Sequence, residues 1–286
     1  ATLPRLRSRV RISFPAPIKE LSLPSPSMLN YFIFISTLSL SMSVWSYDLD
    51  DLTKLNNTKV CLDCNLNNIK LSNKVLINSN LNNSSISNST LNNSIFRYGN
   101  LINVRFVKSS LQGVDFTNAN LKNSNFRLSD CTDSNFTFTN LTNANFSGAN
   151  LTRASFKNAQ LKYVNFRDTN LEAAFFEAAD LTQAQLNKIE LNNVNFSLAT
   201  LIESNFSGAN LTGASLANAD ARGADFTNAK FINTDLTNTN LSNASLYGAD
   251  LTEADLRFTN LTNTDLTNVS YCKTLMPWGL INDDCS

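Results

Sequence analysis

From Leu66 onward a bulky apolar residue recurs at every fifth position. Leu66, Leu71, Leu76, Leu81, Ile86 and Leu91 open the series, which runs through Leu266 and closes on Tyr271. Only Cys131, Ala221 and Tyr271 depart from Leu, Ile or Phe. Two residues earlier in each unit lies a second register. From Ser79 to Val269 it is small or β-branched in nearly every unit, as in Ala144, Ala149, Ala154, Ala159 and Val164. Asn or Asp is frequent between the two, and the remaining two places are mostly polar. A period of five matches neither a helix nor a flat strand. A chain that buries every fifth residue has to turn a corner in each unit.

Some stretches spell the unit out in full. Ala149-Asn150-Leu151-Thr152-Arg153 and Ala209-Asn210-Leu211-Thr212-Gly213 resemble the pentapeptide-repeat family, whose consensus is Ala-(Asp/Asn)-Leu-x-x. The resemblance covers residues 64–271. It implies an all-β solenoid, a right-handed quadrilateral β-helix with four pentapeptides to a coil. About ten coils at about 4.8 Å each make a rod about 50 Å long. Each coil touches only its neighbours, so the ends need caps.

The residues themselves support four sides. With coils of twenty, Phe96, Phe116, Phe136, Phe156, Phe176 and Phe196 fall in one column. Phe106, Phe126, Phe146 and Phe166 fall in a second, which resumes at Phe206 and Phe226 after Leu186. Leu101, Leu121, Leu141, Leu161 and Leu181 line a third. Coils of fifteen would mix Leu and Phe in every column, whereas stacking like on like lets successive coils pack densely. Ala221 sits in a Leu column, and Phe231 sits half a coil later on the opposite wall, where Leu is the rule. Small facing large keeps the filled volume constant. Phe231 is therefore expected to occupy the space that Ala221 leaves.

The first sixty residues read differently. Residues 1–27 hold Arg5, Arg7, Arg9, Arg11 and Lys19 with Glu20 as the single acid, among frequent Pro and Ser. This basic leader cannot build a core and is expected to be disordered. Two readings of it are open: a transit-peptide-like segment, or residues upstream of a start at Met28. Residues 28–46 are apolar but interrupted by Ser36, Thr37, Ser39, Ser41 and Ser43, short of the roughly 20 predominantly apolar residues of a membrane span. Val44 and Ser46 suit the two sites that a signal peptidase reads, so the segment is expected to be an export signal cut after Ser46. A retained membrane anchor is the alternative. Residues 47–63 are expected to form a capping helix and an opening motif, with Asp48 as helix cap and Leu49, Leu52 and Leu55 recurring at three-residue steps. Residues 272–286 would close the other end.

The chain contains no histidine, which removes the commonest general base and a leading metal ligand. Phosphate-binding loops and nucleophile motifs are absent at any recognisable spacing. The formal net charge is zero, and from residue 47 on there are 18 basic and 22 acidic residues, a net of −4. That balance offers no basic footprint for nucleic acid. The basic middle formed by Lys122, Arg127, Arg153, Lys157, Lys162 and Arg167 reads as a mixed, solvated surface or as a docking patch.

Four of the five cysteines, Cys61, Cys64, Cys272 and Cys285, lie at the ends of the repeat. The run Thr58-Lys59-Val60-Cys61-Leu62-Asp63-Cys64-Asn65-Leu66 resembles the opening motif of exported cyanobacterial and plastid-type members of the family. Cys272 through Cys285 resembles their closing motif. Three readings compete. Zinc would need about four ligands at one point, yet the pairs lie at opposite ends of a rod. A redox Cys-x-x-Cys lacks its usual βαβ context. Structural disulfides, Cys61–Cys64 and Cys272–Cys285, suit an oxidising compartment. Cys131 takes a core position and is expected to be inert.

The expected function is a non-enzymatic scaffold or protein-interaction solenoid in the thylakoid lumen or periplasm, with no cofactor, metal, nucleic acid or small-molecule substrate. Membrane contact would be limited to the export signal or the compartment surface. Two alternatives come from other classes. One is a DNA-mimicking topoisomerase-binding protein of the same family, which calls for an acidic face and no export signal. The other is a redox or assembly factor using Cys61 and Cys64.

Overall fold

The computed structural model describes residues 47–283 and residue 285. The basic leader and the export signal lie outside the described residues. From Val60 to Asp255, every fifth residue forms a parallel bridge to the residue twenty further on, with the one exception of Asn170. The chain thus returns on itself every twenty residues, in four five-residue walls. The first wall carries the column Cys61, Leu81, Leu101, the second Leu66, Ile86, Phe106, the third Leu71, Leu91, Leu111, and the fourth Leu76, Phe96, Phe116. These side chains are all buried.

One unit, Asn120 to Ser124, shows why the sequence takes this form. The N–H of Asn120 donates back to Gly99 O at 2.8 Å, that of Leu121 forward to Asn140 O at 2.7 Å, and that of Asn123 forward to Thr142 O at 2.9 Å. The N–H of Ser124 closes the corner on Leu121 O at 3.0 Å. The fifth donor, Lys122 N–H, points to the Asn120 side-chain oxygen at 3.3 Å. Every backbone donor of the unit therefore has an acceptor, as buried backbone requires. The Asn or Asp before the core residue is the one that supplies the side-chain acceptor, and Asp115, Asn135, Asp225 and Asp235 repeat the contact.

The corner fixes another position. The residue two places after each core residue has a positive φ in every unit from Asp63 to Lys273, near 60° at Asn78, Asn143 and Asn243. A single left-handed residue at the third place of a turn defines type II geometry, which favours Gly or Asn. Asn is the commonest residue at these corners. Where Tyr98, Leu128, Phe138, Leu198 or Phe258 does so, the left-handed conformation costs about 1 kcal/mol or more. The small register lies inside the corner. Where it is Ser or Thr, the buried hydroxyl in most units donates to the core residue's carbonyl one coil back, as Ser134 does to Leu111 O at 2.7 Å and Thr139 to Phe116 O at 3.0 Å, while Ser129 and Ser204 donate within their own corner to Phe126 O and Leu201 O and the Ser79 and Ser124 hydroxyls have no partner. That satisfies a polar group that burial would otherwise penalise.

The Phe columns of the second and fourth walls meet across the interior. Phe116 stacks on Phe136 at 5.2 Å, and Phe126 on Phe146 at 4.6 Å. Phe126 and Phe136 touch edge to face at 5.7 Å and 88°. A zigzag of rings runs from Phe96 to Phe176 in this way, and both contacts suit the ring quadrupole. Leu121, Leu141, Leu161 and Cys131 fill the flanking walls, fully buried. Ala221 and Phe231 are both fully buried, and the Phe231 ring lies edge-on to Phe226 at 5.1 Å.

Helix α1 (Leu49–Thr58) covers the first coil. Asp48 caps it, its carboxylate accepting from Asp50 N–H at 2.9 Å, and Lys59 ends it in the left-handed region. Leu55 is buried and Leu52 packs against the core, but Leu49 is 66 % exposed, against the expected three-residue stripe. Steps of three fall about 60° short of a full turn, so a residue two steps away leaves the buried face. At the other end strands β1 (Thr274–Met276) and β2 (Gly279–Ile281) form an antiparallel hairpin. Leu275 in β1 still bridges to Asp255.

If Phe231 fills the volume that Ala221 vacates, F231L opens a void and lowers stability by roughly 1–2 kcal/mol. A221L alone overpacks the interior, and the double variant recovers most of the loss. Thermal unfolding of the three variants checks this, and simple additivity would reject the pairing.

Candidate functional site: wall surfaces and capped ends

The two cysteine pairs are bonded. Cys61–Cys64 and Cys272–Cys285 are disulfides with Cα separations of 5.6 and 4.9 Å. Cys61 and Cys64 are buried beneath α1, and Asp51 joins them. Its carboxylate oxygen accepts from Asn65 N–H at 2.8 Å, while Asp48 N–H donates to Asn65 O at 3.0 Å. The helix thus supplies the partners that a preceding coil would have given Asn65. Asp51, Cys61 and Cys64 present ligand-type atoms within 4.8 Å of one another. Metal ligation needs thiolates, and the disulfide consumes both. Cys131 is free and fully buried; burial pushes its thiol up to about 12, opposed by the hydrogen bond from Ser129. It stays a neutral core residue.

On the third wall, the missing bridge between Asn170 and Glu190 opens a cleft of about 270 Å³ lined by Asn170, Glu172, Glu190, Asn192 and Asn193. Two departures from the repeat lie beside it: Leu186 replaces Phe between Phe166 and Phe206, and Ile189 is the bulkiest residue of the small register from Ser79 on. Glu190 instead accepts from Asn210 at 2.7 Å and Asn192 at 3.2 Å through its side chain. The sequence carried this signal in Ile189, but the rule "small or β-branched" let it pass.

Among the described residues, seven ion pairs link surface charges within the walls. Arg153 binds Asp133 through two contacts of 2.6 and 2.7 Å, Lys157 meets Glu177 at 2.9 Å, and Lys162 meets Asp180 at 3.2 Å. Half of the basic middle, Arg153, Lys157 and Lys162, is thus paired with carboxylates one coil on or back. Exposed pairs of this kind contribute at most about 1 kcal/mol each. Several carboxyls are held below their usual range. For Asp133 and Asp255 the main cause is the hydrogen bond from Arg153 and Arg257, and for Asp265 that from Thr267. For Asp115 and Asp130 partial burial pulls upward, but hydrogen bonds from Thr117 and Thr132, with Arg97 and Gln112, outweigh it.

The repeat matches two family descriptions. "Pentapeptide repeats" matches in eight copies over residues 61–97, 98–128, 195–231, 204–243 and 229–268, and "Pentapeptide repeat region" matches residues 129–206. Together they run from residue 61 to 268 without a gap. The chain belongs to the pentapeptide-repeat family. Similar solved structures include HetL, a pentapeptide repeat protein involved in heterocyst differentiation regulation from the cyanobacterium Nostoc sp. strain PCC 7120. It is 25 % identical, with 82 % of this chain and 100 % of that chain covered and a TM-score of 0.36. A pentapeptide repeat protein from the Arabidopsis thaliana thylakoid lumen is 27 % identical over 35 % of this chain and 69 % of its own, with a TM-score of 0.34. Rfr23 from the cyanobacterium Cyanothece 51142 is 21 % identical over 46 % and 92 %, with a TM-score of 0.28. A comparison with curated proteins gave no match. As a pentapeptide-repeat protein, the chain belongs to a family whose members are generally structural or interaction proteins. No helix among its described residues is long and apolar enough to cross a membrane.

Two outcomes follow for this site. C285S removes the closing disulfide and should lower the unfolding free energy by about 2–3 kcal/mol with an unchanged far-ultraviolet spectrum. An unchanged melting temperature would mean that the bond closes nothing. The second concerns pH. A carboxyl whose folded pKa lies below its unfolded value of 3.8 stabilises the fold above that value, and the contribution is lost as pH falls through the lower folded one. The urea midpoint should therefore hold from pH 7 to about 5 and fall below about 4. D115N should lower the pH 7 midpoint and flatten part of that fall.

Proposed function

We propose that this chain is a non-enzymatic scaffold whose walls dock a protein partner in an exported compartment, the thylakoid lumen or the periplasm. In this reading, a right-handed β-helix of about ten coils occupies residues 64–271. The capping helix and opening motif at 47–63 and the closing segment at 272–286 seal its ends, and the 28–46 signal is lost on export. The observation that carries the reading is the disulfide at each end of the tube. Such bonds persist in oxidising compartments and are rare where glutathione and thioredoxin keep thiols reduced. The inventory of side chains supports a scaffold. Histidine is absent, the buried hydroxyls largely serve the backbone, and the one free thiol is sealed in the core.

Cell fractionation with native pull-down tests both halves of the proposal. The protein should recover from the lumenal or periplasmic fraction with a partner, with an N-terminus near Tyr47 and only Cys131 open to alkylation after denaturation. A cytosolic protein with five alkylatable thiols would overturn it.

A further inference from the structure

The two disulfides differ in what surrounds them. A carboxylate oxygen of Asp51 and the sulfurs of Cys61 and Cys64 all lie within 4.8 Å of one another. Among the described residues, Cys272 and Cys285 join no such group. A disulfide that only staples a cap has no use for an anion beside its sulfurs. The cluster is built from two elements. Asp51 comes from the first turn of α1, and the cysteines come from the first coil beneath it. Asn65 N–H holds Asp51 Oδ2 at 2.8 Å, and Asn65 O accepts from Asp48 N–H at 3.0 Å. Asp51 Oδ1 accepts no hydrogen bond from the described residues. The Asp51 carbonyl oxygen lies 3.2 Å from Cys61 Sγ, a second oxygen at the same place.

We propose that the reduced cap is a zinc-class metal site, with Cys61 Sγ, Cys64 Sγ and an Asp51 carboxylate oxygen as its ligands. Metal and disulfide are alternative states of one cysteine pair. Reduction by a dithiol cuts the Cys61–Cys64 bond: two electrons and two protons pass to the cysteines, and the dithiol closes to its own disulfide. The cation then binds two thiolates and displaces both protons. Passing the two electrons on to a disulfide oxidant reforms the bond and releases the metal. Three considerations select this ligand. First, geometry. Tetrahedral zinc takes sulfur at about 2.3 Å and carboxylate oxygen at about 2.0–2.2 Å, which sets ligand atoms about 3.5–3.8 Å apart. Atoms already within 4.8 Å of one another reach those separations by small side-chain rotations once the covalent bond is gone. Second, the ligand count. Three protein ligands with water in the fourth place are a common zinc set. One cysteine pair therefore suffices when an acid stands beside it, and the pair at the other end of the tube is not needed. Third, charge. Cys61 and Cys64 are buried, with exposures of 0 and 2 %. Two thiolates there are costly unless a cation offsets them. Thiolates also select zinc over magnesium or calcium, which take oxygen ligands. The bound metal ties α1 to the first coil through Asp51, a link that the disulfide does not make. This site is independent of the compartment and partner proposed above.

The full chain carrying C285S, which removes the other cysteine pair, is reduced with a phosphine, desalted without oxygen and titrated with Co²⁺, then with Zn²⁺. One Co²⁺ per chain should bind, with a sulfur-to-cobalt charge-transfer band in the near ultraviolet that Zn²⁺ removes by displacement. The same chain with Cys61–Cys64 oxidised should show no such band, and C64S should abolish it. D51N keeps an acceptor for Asn65 N–H but loses the anionic ligand. It should weaken binding by about tenfold or more with an unchanged far-ultraviolet spectrum. D63N is the control, because Asp63 lies between the cysteines in sequence but outside the cluster. Removing its charge should leave the affinity within about twofold. A reduced chain that binds no cobalt, a band that persists in the oxidised chain or in C64S, an unweakened D51N, or equal losses in D51N and D63N would each overturn the proposal.

Discussion

A coil that turns four square corners in twenty residues has to find an acceptor for every backbone N–H it buries. In the Asn120–Ser124 unit four of the five donors reach carbonyls of the same coil or its neighbours, and the fifth reaches the Asn120 side chain. That last bond is the reason for Asn or Asp before each core residue, and the left-handed corner is the reason for Asn or Gly two places after it. One amino acid thus answers two separate demands. The Asn-rich composition follows from the backbone, with no need for Asn at the surface for binding.

The interior answers to a different demand, that of dense filling. The zigzag of Phe rings sets the width of the tube, and the Leu walls close it. Two departures stand out. Ala221 and Phe231, on opposite walls, are both fully buried. Leu186 and Ile189 lie beside the missing bridge between Asn170 and Glu190.

The five-residue register and the four columns were legible in the sequence because each position answers a local demand that recurs in every unit along the chain. The four cap cysteines could be located for the same reason, since they fall where the register starts and stops. Other features depend on contacts that no local pattern encodes. Nothing in the local sequence sets Asp51 apart, yet its carboxylate replaces a missing coil for Asn65. Leu49 fitted a three-residue stripe, and the helix turned it to solvent. Tyr98, Phe138, Leu198 and Phe258 share one exposed corner of the fourth wall, which becomes visible only when the sequence is folded into twenties.

The parallel bridges between residues twenty apart have an evolutionary consequence. Inserting or deleting twenty residues anywhere in the middle leaves every ring above a ring and every donor opposite an acceptor. A change of five rotates all later walls by a quarter turn and sets Phe over Leu from that point on. A change of one removes the register altogether. Relatives of this chain should therefore differ in length by whole storeys, so that a longer or shorter rod can arise by duplication or loss without redesigning either end.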